Sequence, residues 1–316
     1  MLPNASTADV AADDVPTALR LVTAPHFLRT LDRLRFAGRC SVGQLPGSTP
    51  VSRATQPSGH ELAAHKPYVP GDDLRHVDWN ALARLDQHVV RTFRAEREAP
   101  LHVLLDASAS MAVPEPDRKL PFAVALTASL AYIALRHGNP VRIAVVGGGS
   151  EPARLSPLLR HVQRLPELHQ FLAPVAAGGE TRLREGLDAY LRTTRMPGTA
   201  IVISDFLVEP TVYQAALDEL RGRQYDVAAI RVIGGEERDA TALPRRVRLR
   251  DAESGVEQDV EVTPTVRAQY AAAVAQHLSD LKRWCDARAI ACAVADTAGG
   301  LSGALFSDLP RAGLLQ

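Results

Sequence analysis

The sequence predicts an α/β fold, a doubly wound and mostly parallel sheet with a smaller, β-containing domain ahead of it. Three observations predict it. From residue 100 onward, apolar runs of strand length alternate with runs of helix length, the pattern of βαβ units. Two of those strands, HVLLD and AIVISD, end in aspartate, and two others, VRIAVV and YDVAAIRVI, run into glycines. Polar and glycine-rich strand ends belong where such sheets bind ligands, beyond the carboxyl ends of the strands. Before residue 100 the pattern is absent, and residues 38–73 are rich in Gly, Pro and Ser.

Element by element, residues 1–23 are rich in Ala, Asp and Thr and are expected to form a disordered terminus. HFLRTLDRLRF (26–36) carries Phe27, Leu28, Leu31 and Leu34 at helical spacing. DQHVVRTFRAERE (86–98) alternates as a strand does. Residues 24–99 therefore form an N-terminal subdomain, and 100–316 the α/β domain. Within the latter, LHVLLD, NPVRIAVV, TAIVISDF, YDVAAIRVIG and IACAVADT read as buried strands, with PARLSPLL as a short edge strand. Helices are expected at 118–138, closed by Gly138, and over LPELHQFLAPV, TRLREGLDAYLRTTR, PTVYQAALDELRGR and TVRAQYAAAVAQHLSDLKRWCDARA. RRVRLRDAESGVEQDVEVTP alternates about Ser254-Gly255 and predicts a hairpin insertion near 245–262.

The bulk numbers exclude several classes. The chain has 316 residues, is 46% hydrophobic and has a formal net charge of zero, so it lacks the basic footprint of a nucleic-acid binder. Arg245, Arg246, Arg248 and Arg250 alternate with Val247 and Leu249, as on the solvated face of a strand. Cys40, Cys285 and Cys292 have neither zinc-ligand spacing nor the pattern of a disulfide framework. The N-terminus has no basic segment followed by an apolar one, as a signal peptide would. LTASLAYIAL (126–135) is too short to span a bilayer. A cytoplasmic protein without a transmembrane segment is the expectation.

The residues LLDASASM, 104–111, place Asp106, Ser108 and Ser110 at alternate positions just where a strand ends. In a 3-2-1-4-5-6 strand order, the first and fourth strands lie side by side at the switch point, so Asp106 and Asp205 would face each other there. Facing carboxylates repel unless a cation neutralises them. Carboxylates with hydroxyls suit a hard divalent ion, Mg2+ first and Mn2+ as another option. Thr181, in AAGGETRL, supplies a further hydroxyl, with Gly178 and Gly179 permitting close backbone approach. Singly, each residue has a plainer reading: Thr181 as a helix N-cap, Asp205 as a turn residue, and the serines as a capping loop.

Taken together, Asp106, Ser108, Ser110, Thr181 and Asp205 resemble the metal-ion-dependent adhesion site of von Willebrand factor A-like domains. One departure is Phe206, where many such sites have glycine after the last aspartate. The segment HKPYVPGDDLRHVDWNALARLDQHVVRTFRAERE resembles the signature of domain-of-unknown-function family 58, through Tyr68, Pro70, Gly71, Asp72, Asp73, Arg75, Asp78, Trp79, Ala83, Arg84 and Glu96. The resemblance implies a binding module rather than an enzyme, an adaptor working with a MoxR-type AAA+ ATPase in protein assembly or activation. The chain has no Gly-x-x-x-x-Gly-Lys-Ser/Thr loop, so ATP hydrolysis would fall to that partner.

An alternative is a magnesium-dependent phosphotransferase or hydrolase with Asp106 as nucleophile. Dehalogenase-like enzymes place a second carboxylate two residues later, where this chain has Ser108. They also place a lysine before the later acidic site, and none lies between Lys119 and Lys282. VVGGGSEP lacks the dinucleotide-binding glycine spacing and reads as a flexible turn. Upstream, Pro70 to Asp73 predict a turn, and Asp72, Asp73, Asp78, Arg75 and Arg84 a local ion-pair network. Trp79 is expected to anchor the small domain on the large one. His60, His65, His76 and His88 lack metal-ligand spacing.

Overall fold

The structure is a computed structural model that describes residues 14–37, 62–70, 77–85, 87–93, 99–149, 151–194, 196–238 and 243–316. It opens with two helices, α1 (Val15–Thr23) and α2 (Pro25–Leu31). Helix α1 corrects the expectation of a disordered stretch to residue 23. Asp14 accepts a 2.7 Å hydrogen bond from the Thr17 amide and caps the helix, and Pro16 stands in its first turn. Val15, Ala18, Leu19 and Val22 recur at helical spacing and are buried in the main core.

The chain divides into two compact units, and the described residues 24–37 belong to the larger one rather than to the expected subdomain 24–99. Tyr132 donates a 2.9 Å hydrogen bond to Asp32, and Phe36 pairs with Leu315, which explains that assignment. The smaller unit holds β1 (Leu62–Pro67), α3 (Trp79–Leu85) and β2 (Val89–Phe93), with β1 antiparallel to β2. Asp78 accepts from the Ala81 amide at 3.1 Å and caps α3 instead of serving only an ion-pair network. Trp79, the first residue of α3, is 59% exposed. Gly71, Asp72, Asp73, Arg75, His60 and His76 lie outside the described residues.

The larger unit continues with β3 (Leu101–Asp106), α4 (Lys119–Arg136), β4 (Val141–Val146), β5 (Ala153–Leu155), α5 (Leu165–Leu172), α6 (Leu183–Thr193), β6 (Thr199–Ser204) and α7 (Pro210–Gly222). It closes with β7 (Asp226–Ile233), α8 (Gly235–Arg238), β8 (Arg246–Arg250), β9 (Glu257–Glu261), α9 (Pro264–Asp286) and β10 (Ala291–Asp296). The sheet order is β10-β7-β6-β3-β4-β5, parallel except for β5. Counted along the chain this is the expected doubly wound order. Strand β3 pairs with β4 on one side and β6 on the other, so the switch point falls at β3 and β6. Strands β3 and β6 are buried throughout, as strands covered on both faces must be.

One apolar layer joins the sheet to α1, α2, α4 and α5, and the other joins it to α6, α7 and α9. Helix α4 is apolar all round because it is buried all round. The helical stretch Glu115–Arg136 is long and apolar enough to cross a membrane, yet 83% of its most apolar window is buried inside the protein. It is longer than the apolar decapeptide 126–135 because α4 starts at Lys119 and a 3-10 turn, Glu115–Asp117, precedes it.

Leu19→Ala in α1 is expected to cost about 2–5 kcal/mol, the range for a buried leucine. Urea denaturation reads this directly. A change below about 0.5 kcal/mol, typical of a surface position, would mean that α1 does not pack on the core.

Candidate functional site

Three loops meet at the carboxyl end of β3. The Ala107 amide donates to the Val146 carbonyl at 2.8 Å, and the Gly178 amide to the Ala107 carbonyl at 3.0 Å. The Gly148 amide donates to the Gly178 carbonyl at 2.9 Å, and the Ala109 amide to the Gly179 carbonyl at 3.0 Å. Gly147 and Gly148 have φ of +78° and +71°. A Cβ on Gly147 would stand 3.1 Å from the Ser108 nitrogen, and one on Gly148 only 2.5 Å from the Ala176 oxygen. Gly147 and Gly148 therefore pack closely on the Asp106 loop and are not merely a flexible turn, whereas a Cβ on Gly149 would meet open space. Gly178 and Gly179 make the expected close backbone approach through these hydrogen bonds, although a Cβ on either would meet open space. Gly179 also supplies a φ of +69°.

Asp106 is 1% exposed. One carboxylate oxygen accepts from the Ser108 amide at 2.9 Å and the other from the Ser204 hydroxyl at 2.6 Å. The Ser108 and Ser110 hydroxyl oxygens lie 3.0 Å apart, and both residues are buried. Burial and the nearby charge of Asp205 push the Asp106 pKa up to about 6, against the pull of its hydrogen bonds. Ser204 is a participant that sequence reasoning missed. Its signal was weak: one hydroxyl at the end of an otherwise apolar strand.

Asp205 has a different environment. Lys119, itself 1% exposed, donates from Nζ to Asp205 at 2.7 Å and to Glu237 at 2.8 Å. The second Asp205 oxygen accepts from the Leu207 amide at 3.2 Å. Glu237 is set in place by Asp117, whose carboxylate accepts from the Glu236 and Glu237 amides at 2.9 and 2.8 Å. A Cβ on Gly234 would stand 1.9 Å from the Asp117 carboxyl carbon, so only glycine fits there. Lys119 and Glu237 were also missed. Lys119 is one of only three lysines in an arginine-rich chain, and it opens an otherwise apolar helix.

The two neighbouring carboxylates are thus unequal. Asp205 has a resident ammonium partner. Asp106 has no ion-pair partner among the described residues, only hydroxyl and amide donors. A buried carboxylate with serine hydroxyls beside it and no counter-charge fits a hard divalent cation. Among the described residues no three His, Cys, Asp or Glu side chains cluster as a metal group, so any ion would depend on hydroxyl and water oxygens.

Thr181 does not cap α6. Arg182 occupies the cap position without a side-chain bond, and the Thr181 hydroxyl donates to Glu253 at 2.5 Å. Phe206 adopts φ of +53°, a backbone suited to glycine, so the loop keeps its form despite the side chain. That side chain is fully buried, edge-on to Tyr213 at 5.7 Å, and its amide donates to the Ser204 hydroxyl at 2.9 Å.

Lys119→Met is expected to destabilise the protein by about 3–5 kcal/mol, because it leaves the buried Asp205 without its cation and Glu237 with Arg231 alone, at 3.4 Å. Urea or thermal unfolding measures this. A cost below about 1 kcal/mol would show that Asp205 does not depend on Lys119.

The family model described as Protein of unknown function DUF58 matches residues 64–280. Uncharacterized proteins of Mycobacterium bovis and of Mycobacterium tuberculosis strain H37Rv are each 33% identical to this chain over 236 residues, 71% of this chain and 71% of theirs. Among solved structures, the conserved hypothetical protein BatB from Bacteroides thetaiotaomicron is similar at 18% identity and a TM-score of 0.38, over 55% of this chain and 85% of that one. A von Willebrand factor type A structure from Catenulispora acidiphila is similar at 20% identity and a TM-score of 0.34, over 47% of this chain and 35% of that one. On the family match and the identity to the mycobacterial proteins, the chain belongs to the DUF58 family.

Proposed function

We propose that this chain is a metal-dependent protein-interaction module. Mg2+ or Mn2+ is held by Asp106, Ser108 and Ser110, with Thr181 adding a hydroxyl and Asp205 acting through water. The open position of the ion takes a carboxylate from a partner protein. The observation that carries this reading is the buried, uncompensated charge of Asp106 beside two buried serine hydroxyls. Asp205 is assigned to the outer sphere because the buried Lys119 ammonium already neutralises its charge. Val113 and Leu207, 45% and 47% exposed, follow the two aspartate loops and offer an apolar rim for a docking surface. By family resemblance the partner is a MoxR-type AAA+ ATPase, and the role is adaptor work in protein assembly or activation, in the cytoplasm.

The phosphotransfer alternative gains one point and loses another. Lys119 reaches Asp205 from far upstream, so a lysine does stand beside the later acidic site. It is buried and shared with Glu237, however, and position 108 offers a hydroxyl where a general acid would be required. A binding role needs none of that chemistry.

Isothermal titration with Mg2+ at pH 7.5 is expected to show one site, lost in Asp106→Ala. The proton and the metal compete for Asp106. With its pKa raised to about 6, the carboxylate is ionised above that pH and takes up a proton below it. Affinity is therefore expected to fall roughly tenfold between pH 7.5 and pH 5. Equal affinity at both pH values would remove Asp106 from the ligand set. In pull-downs, capture of the ATPase should vanish in EDTA and with Asp106→Ala. Capture indifferent to metal would dispose of the adhesion-site mechanism.

A further inference from the structure

The hairpin of β8 and β9 carries a built turn at its tip. Asp251 accepts from the Ser254 amide and the Ser254 hydroxyl, both at 2.6 Å, and from the Glu253 amide at 3.2 Å. The Asp251 amide donates to the Val256 carbonyl at 2.8 Å, and Gly255 closes the turn with φ of +70°. The strands themselves bury little. Arg248 and Asp259 pair across them at 2.8 Å, and Arg245 and Glu261 at 3.0 Å, all on exposed surface. On this largely solvated ribbon, Glu253 is half-buried, as are Val247 and Val260. Its carboxylate accepts the Thr181 hydroxyl at 2.5 Å.

That contact joins the hairpin to the Asp106 loop through a short chain. Thr181 lies two residues beyond Gly179, whose carbonyl accepts from the Ala109 amide at 3.0 Å. We propose that Glu253 is an in-chain stand-in for the partner's carboxylate, seated on the Thr181 side of the ion's open face and withdrawn when the partner docks. The proposal rests on the adhesion-site reading above and adds to it a kind of partner: one that presents an acidic residue at the tip of a loop or hairpin. A tethered carboxylate acts at an effective concentration in the millimolar range, enough to compete with weak free carboxylates. The ligand's apparent affinity is then lowered by the fraction of molecules in which Glu253 is in place.

The test uses the full chain loaded with Mn2+ and titrated with glutarate, read by the water-proton relaxation of the bound ion. Glu253→Ala is expected to bind glutarate at least fivefold more tightly than the unaltered protein, with Mn2+ held by both. Glu253→Gln keeps an acceptor for Thr181 but not the charge, and should match Glu253→Ala. Equal glutarate affinity in all three proteins, with Mn2+ bound, overturns the stand-in and leaves the adhesion site standing. Loss of Mn2+ binding in Glu253→Ala also overturns it, because Glu253 would then be a permanent ligand. Failure of every form to bind Mn2+ overturns the adhesion-site reading itself, and the stand-in with it.

Discussion

A lysine ammonium, buried to 1% exposure, bridges Asp205 and Glu237, and the carboxyl end of the sheet is organised around it. Burying a carboxylate or an ammonium alone costs several kcal/mol even after relaxation, so each of these groups requires the others. The requirement fixes positions far apart in the chain. Helix α4 must begin at Lys119, β6 must end at Asp205, and α8 must start where Asp117 can cap it. Gly234 must stay glycine to let Asp117 in. The result is an asymmetry between neighbouring acids. One has a covalently supplied cation, and the other has only neutral donors. A pair of free carboxylates here would repel and share a proton. With one of them satisfied from within, Asp106 is left with hydroxyl and amide donors only.

Much of the fold was legible because burial leaves a mark on composition. Apolar runs of strand length located β3, β4, β6, β7 and β10, and their alternation with helices led to the strand order that places β3 beside β6. Asp106 and Asp205 stood out because each breaks such a run. Helix α1 was hidden by a polar-looking context, although Asp14 and Pro16 mark its start and its apolar residues are helically spaced. The contacts that decide the site's electrostatics left no such mark. Lys119 and Asp205 are 86 residues apart, and Thr181 and Glu253 are 72 apart. Periodicity reports which face a residue occupies, not which distant side chain it meets.

The loops of the site are held rigid by backbone means. Gly147 and Gly148 lie against the Asp106 loop with positive φ, where an added Cβ would stand 3.1 Å from the Ser108 nitrogen and from the Ala107 Cβ, respectively. Phe206 holds a left-handed conformation, which costs on the order of 1–2 kcal/mol in a non-glycine residue. Full burial of its ring against Tyr213 contributes more than that. The Ser204 hydroxyl ties both features together, since it donates to Asp106 and accepts from the Phe206 amide. A glycine at 206 would relax the backbone but surrender the packing that fixes Ser204. Rigid donors lower the ordering cost of binding an ion or a carboxylate, and preorganisation of this kind suits a docking point.

The hairpin differs from these loops in kind. Its strands are laced by exposed ion pairs, each worth little, and its apolar residues Leu249 and Val256 are 46% and 66% exposed. Little buried area therefore resists its movement, whereas shifting β3 or β6 would open the core. An element that must yield to an incoming partner is drawn from the low-stability end of a structure. The chain thus sets a fixed ion-pair network and a rigid donor set beneath a weakly held ribbon. The ribbon's hydrogen bond from Thr181 to Glu253 is one side-chain contact, and no strand of the large sheet depends on it.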